Sequence, residues 1–338
     1  MRIERLHIEG FRNIGDAEIE FNHDGDGGGL TLLDETRGGR WTQDAIQIAA
    51  GPFLRQMPFT SGCTFRHVEG PQARLAATFA SPLADAPMEI RREAFTDKDG
   101  KLLTTVRDAL PLKELAEKLH VLRFDADAVL PLFAFHGAKR RWSLQYRHDE
   151  TEWMRMERLA VFSDAGTPDA GSGMFAQWFT DLWYSMNDQR LKRMQGSILL
   201  DPPRLALYEA LNKVVCDAVD TCLRPAGAEG LEYDLDARAL VARHNGHRVE
   251  IAEMPRDEVA VLGAVADLAC RCCILNQAQA GRTLAATPGI VLLDWTGIQA
   301  RWLPEALAAM RRTFPSLQFI AALADAMAEL CGEAEPAN

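Results

Sequence analysis

Apolar residues fall at Ile3, Leu6, Ile8 and Phe11 and again at Ala17, Ile19 and Phe21, the near-alternation of two short strands joined through Gly10–Gly15. The Asp/Gly-rich stretch 22–29 reads as a hairpin-type connection, and Leu30–Leu33 as a third, apolar strand. A Gly-rich turn follows. Thr42–Ala50 then has helical spacing, which Gly51 is expected to end. Residues 63–68, 73–80 and 87–93 carry β-like runs, with turns at Gly70-Pro71 and Pro82 and a hairpin tip at Asp97–Gly100.

From about residue 110 the period changes. Leu112–Leu122 is helical, and Val129–Phe135 is a buried strand leading into Gly137-Ala-Lys-Arg-Arg-Trp142. Residues 148–200 are rich in Trp, Met and charge, and Ser163–Gly173 is a small-residue loop. Pro203–Leu223 places Leu205, Tyr208, Leu211, Val215 and Val219 on one helical face. A β-meander follows at 231–236, 240–244 and 248–251, its turn at Asn245-Gly246. A long helix then runs from Met254 to about Asn276. Gly289–Asp294 and Leu317–Ala321 are apolar enough to be strands covered on both faces, with helices at Pro304–Phe314 and Ala322–Leu330. The expected organisation is an N-terminal lobe (1–109), a helical insertion (110–225) and a C-terminal lobe (226–338).

Composition narrows the classes. The 338 residues are 47% hydrophobic and 25% charged, enough for a sizeable core. No apolar run is long enough to span a bilayer, and the N-terminus lacks the apolar segment of a signal peptide. Seven cysteines without a framework spacing suit a reducing, cytoplasmic setting. A net charge of −11 argues against broad sequence-independent nucleic-acid binding while leaving room for a local basic patch.

Candidate chemistry centres on the turn after the third strand. A strand, a Gly-rich turn and a helix N-terminus are where a P-loop holds a triphosphate, with pattern G-x-x-x-x-G-K-[ST]. Here the eight places read Asp34-Glu-Thr-Arg-Gly-Gly-Arg-Trp41. A carboxylate takes the first Gly, Arg40 the Lys and Trp41 the Mg²⁺-binding hydroxyl. In a frame anchored on Asp44-Ala-Ile46 instead, Gly39 takes the Lys place and Arg40 the hydroxyl's. Neither register restores a Lys.

With these residues in place, the chain resembles an ABC-type ATPase head of the RecF, SMC and OLD-like AAA class over nearly its full length. The resemblance rests on several segments in order: Ile3–Asn13 with its "F-R" turn at Phe11-Arg12, the P-loop position with Asp44–Ile46, and Phe135–Trp142 as an aromatic-Gly-x-x-Arg motif. Glu253–Glu258 with Leu262–Ala269 fits the signature and its helix, Ile290–Asp294 fits Walker B, and Phe314–Ile320 is the strand before the switch histidine. It implies an α/β P-loop NTPase fold with mixed sheets and a helical insertion, and ATP sandwiched between two protomers. Position by position, the resemblance also implies loss. The signature Ser and Gly fall on Pro255 and Asp257, the catalytic Glu on Trp295 and the switch His on Ala324; Asp294 keeps the Walker B acid. A carboxylate such as Asp34 aimed at a phosphate repels it by roughly 4 kcal/mol per charge pair at 4 Å and an effective dielectric of 20.

The expected protein is a pseudo-ATPase that needs no cofactor. It would act through a protein partner or as a homodimer, in DNA maintenance or anti-phage defence, without a membrane partner. Vestigial nucleotide contacts would come from Arg12, Gly38, Gly39, Arg40 and Asp294. If those residues do bind ATP and Mg²⁺, the alternative is an unusual active ATPase. A second alternative is a DNA-binding adaptor using Lys139, Arg140, Arg141, Trp142 and Arg147, where basic and aromatic side chains interleave. Trp41 and Trp295 either fill core or stack on a ligand base. Cys270, Cys272 and Cys273 are expected to be buried packing residues, and His244 and His247 to be solvated beside their turn. No Toprim-like nuclease domain is expected after the core.

Overall fold

Strand β1 (Arg2–Phe11) shows how the sequence sets the first sheet. Its apolar spacing slips by one between Ile3 and Leu6, and the structure, a computed structural model, has a β-bulge there against β4 (Gln72–Ala80). Residues 1–24, 28–34, 38–57, 72–99, 101–137, 157–163 and 174–333 are described below. β1 turns through Arg12-Asn13 into β2 (Ile14–Glu20), and β5 (Met88–Thr96) and β6 (Leu102–Arg107) complete an antiparallel sheet of order β2-β1-β4-β5-β6. Its Ile3, Leu6, Ile8, Leu75, Phe79 and Ile90 are buried.

The second sheet is parallel, as uniformly apolar strands require. β3 (Gly29–Asp34), β7 (Leu132–His136), β11 (Gly289–Trp295) and β12 (Leu317–Leu323) stand in the order β3-β12-β11-β7, and every residue of β7, β11 and β12 is buried. The two sheets are stitched by Gln318. Its Oε1 accepts from Ile3 N and its Nε2 donates to Ile3 O, both at 2.8 Å, which serves the backbone groups at the bulge. The parallel sheet takes strands from all three expected segments, so 110–225 is not purely an insertion.

Helix α1 (Gly39–Leu54) does not stop at Gly51 as expected. It continues through Pro52, whose missing N–H leaves the Ile48 carbonyl without its helical partner. The buried Arg92 of β5 donates Nη1–H to that carbonyl at 2.6 Å, and Phe53 and Leu54 beyond it are fully buried. The run 63–68 lies outside the described residues.

Helix α2 (Leu110–Leu122) packs on α1, and α3 (Met174–Met194) and α4 (Pro202–Leu223) form a hairpin, α4 opened by the Asp201 cap. β8 (Ala228–Asp234), β9 (Ala239–His244) and β10 (His247–Glu250) are the expected meander. α5 (Arg256–Leu275) is buried over most of its surface, Cys270, Cys272 and Cys273 included. A short α6 (Thr283–Ala286), α7 (Leu303–Thr313) and α8 (Asp325–Glu333) complete the chain. This is a mixed α/β fold with one parallel and two antiparallel sheets among the described residues, and inserted helices. Among the described residues no helix is long and apolar enough to cross a membrane.

Candidate functional site

The C-terminal edge of a parallel sheet gathers loops around one crevice. Here that edge carries the β3–α1 turn, Asp294 and Trp295 at the end of β11, Ala324 after β12 and His136 at the end of β7. Gly38, at φ 76°, is the residue from which α1 springs, and its carbonyl accepts from Thr42 N at 2.9 Å. A side chain on Gly39 would bring Cβ to 2.8 Å from the Asp34 carbonyl, so the helix start lies directly on β3. Gln43, fully buried, donates Nε2–H to the carbonyls of Leu293 and Ile320, both at 2.8 Å. One side chain thus fastens the first turn of α1 to two strands.

Two arginines meet on the indole of Trp41. Arg12 sits in the β1–β2 turn at φ 53° and lies 4.1 Å from the Trp41 ring centre, with Nη2 3.1 Å from Asp44 Oδ2. Arg40 lies 5.5 Å from the same ring, and its Nε is 3.5 Å from Asp294 Oδ2. Asp294 is 2% exposed; its other oxygen accepts from Thr296 Oγ1 at 2.8 Å. Two guanidinium cations therefore face two carboxylates.

Magnesium needs near-octahedral oxygen ligation, usually with several waters retained. One Asp294 oxygen accepts from the Thr296 hydroxyl, and the other faces the Arg40 guanidinium. Trp295, the residue after it, is 3% exposed and packed in the core, whereas Trp41 is half-buried, packed against the core and faced by the two arginines. Among the described residues no group of three His, Cys, Asp or Glu side chains is placed to hold a metal ion.

The sequence-derived residues Arg12, Gly38, Gly39, Arg40, Trp41 and Asp294 gather at this edge, and Asp34 is half-buried at the end of β3. Ala324 follows β12, its carbonyl accepting from Met327 N and Ala328 N at 2.9 Å. Pro255 and Asp257 open α5, whose first turn meets β9 through Glu258 and His244. His244 is therefore not simply solvated as expected: it is half-buried because the buried Glu258 draws it in. Lys139, Arg140, Arg141, Trp142 and Arg147 lie outside the described residues.

Sequence reasoning missed Gln43, Thr296 and a buried polar trio. On α5, Arg271 donates Nε–H to Asp267 Oδ2 at 2.6 Å, and His136 Nε2 lies 3.8 Å from the same oxygen. Arg271 also donates to the carbonyls of Val161 and Ser163. The signal that could have found the trio was an Asp and an Arg at i, i+4 on an otherwise apolar helix face.

No family model matches the chain. It is similar to a solved SMC head bound to the C-winged helix domain of ScpA, at 14% identity over 98% of this chain and 92% of that chain, with a TM-score of 0.47. It is similar to the SMC head domain from Thermotoga maritima at 12% identity, covering 99% of this chain and 92% of that chain, with a TM-score of 0.45. It is also similar to the recombination mediator RecF bound to ATP, at 11% identity over 96% and 92% of the two chains, with a TM-score of 0.35.

Proposed function

We propose that this chain is a non-catalytic relative of the ABC-type ATPase heads, a structural or regulatory subunit that works through protein–protein contact, as a homodimer or with a different partner. DNA maintenance and anti-phage defence are the settings its sequence resemblance suggests. One observation carries the reading: the guanidinium of Arg40 stands beside the buried Asp294, so the charge that would recruit a divalent cation is already met from within the chain. Support comes also from Trp295, an indole that neither orients nor deprotonates a water where the resemblance calls for a glutamate. The Arg12–Asp44 pair likewise spends on a carboxylate the cation that an anionic ligand would need. Held by these pairs and by Gln43, the start of α1 keeps one geometry without nucleotide.

Titration calorimetry with Mg-ATP tests this, alongside light scattering of the chain alone and with the products of neighbouring genes. The expected result is no heat of nucleotide binding up to millimolar concentration, together with a stable assembly. Micromolar binding that disappears in Arg40→Ala would establish the nucleotide-binding alternative instead. Salt-dependent binding to duplex DNA, weakened by Lys139→Ala with Arg141→Ala, would favour the adaptor.

A further inference from the structure

Among the described residues, most of the large apolar side chains left in solvent fall in two patches, and the two carry opposite charge. The first is on α2. Leu110, Glu114, Glu117 and Val121 are three or four residues apart and share its solvent face, and Phe124 extends the stripe just past the helix end. Val121 and Phe124 are 72% and 79% exposed. The carboxylates of Glu114, Glu117 and Asp127 hold no salt bridge among the described residues. The nearby cations are mostly engaged: Lys118 donates to the Leu83 carbonyl at 2.8 Å, and Arg123 pairs with Glu157 at 2.9 Å, while Lys113 borders the stripe. This patch is apolar with an acidic margin.

The tip of the α3–α4 hairpin has the reverse character. Leu191, Met194, Ile198 and Leu199 are each more than half exposed. Residues 190–204 hold four cations and one carboxylate, in a chain whose net charge is −11. Arg190 and Lys192 are paired with Glu209 and Asp188, but the exposed Arg193 and Arg204 hold no salt bridge among the described residues. The one carboxylate, Asp201, accepts from the Arg204 amide as the cap of α4. Within one chain the patches leave each other uncovered, because α2 packs on α1 and β5 and the hairpin on α5 and β8. We infer that they meet between chains, the α2 stripe of one copy seating the hairpin tip of the next. Apolar surface then meets apolar surface, and unpaired carboxylates face unpaired guanidiniums. The contact is heterologous. Every pair keeps one free tip and one free stripe, so copies add head to tail or close into a ring. A contact this small is weak, and the dilute chain is a monomer. The inference rests on the protein-contact part of the reading above and not on whether the α1 cluster binds nucleotide.

Sedimentation equilibrium of the full-length chain decides the matter. From about 5 to about 300 μM its mass should rise with concentration, and less so as salt is added. Val121→Asp with Phe124→Asp, and separately Ile198→Asp with Leu199→Asp, should each weaken association at least about tenfold. Mixed in equal amounts, these two variants should form a pair that grows no further, since one intact tip meets one intact stripe. Charge reversal is the second route. Arg193→Glu with Arg204→Glu should weaken association, as should Glu114→Lys with Glu117→Lys, and mixing those two chains should restore it. The inference is overturned by an unsubstituted chain that stays monomeric, whether or not its tip binds anionic vesicles instead. It is equally overturned by mixtures that remain monomeric, or by a single aspartate variant that associates as the unsubstituted chain does. Calorimetry with Mg-ATP reads the non-catalytic proposal separately, so the failure of one is not the failure of the other.

Discussion

Arg12 adopts a left-handed backbone, at φ 53°, that an L side chain takes only when its surroundings impose it. Glycine there would relax the turn, yet Arg12→Gly is expected to lower stability by about 1 kcal/mol, because the Trp41 stacking and the Asp44 pair outweigh the relief. Urea unfolding followed by tryptophan fluorescence measures this. For Arg40→Ala the expectation is a loss of about 2 kcal/mol, since Asp294 keeps only Thr296 as a partner. Adding Asp294→Asn should recover more than half of it; simple additivity in the double-mutant cycle would mean the pair is not coupled. The cysteines give a pH test. Burial pushes the Cys216, Cys222 and Cys272 thiols up from 9.0 to about 12. In the unfolded chain they ionise near 9, so their contribution is intact below that pH and fades as pH climbs from 9 toward 12. Alkaline unfolding should therefore begin above about pH 9, and the buried Cys222 and Cys272 should react with a disulfide reagent at about pH 8 only as fast as the protein unfolds.

Helix α1 is the element in which sequence and structure part most clearly. Gly51-Pro52 is a local stop signal, and no window of nearby residues shows why the helix runs past it. The reason lies far along the chain, in the Arg92 guanidinium that satisfies the carbonyl Pro52 cannot. Arg92→Leu is expected to cost about 3 kcal/mol by denaturant titration, and Pro52→Ala in that background should recover part of it, because the restored amide can reach Ile48. The strands were easier to read. β11 and β12 announced themselves as apolar runs, and Asn245-Gly246 placed the meander turn, since both signals are local. The pairing of Arg40 with Asp294 was not legible. Each residue was identified as a site position, but their distance along the chain hides that one neutralises the other.

Across the whole molecule, the existence of the sheets was easier to read than their membership, because β3, β7, β11 and β12 come from distant segments. Charge is spread over the surface, with exposed apolar side chains at the end of α2, Val121 and Phe124, and at the α3–α4 hairpin tip. At the α3–α4 hairpin tip Met194, Ile198 and Leu199 are 84%, 98% and 70% exposed. These side chains bury little, so Ile198→Ser with Leu199→Ser should change the unfolding free energy by less than about 0.5 kcal/mol. A larger loss in calorimetry would show that the tip is covered in solution.

The bulge in β1 has a further effect. Were β1 to slide one residue along β4, Gln318 would lose both hydrogen bonds to Ile3, leaving Oε1 without the Ile3 amide and Nε2 with only the Asn22 carbonyl at 3.3 Å. The alignment of the antiparallel sheet is thus checked by a side chain belonging to its parallel neighbour.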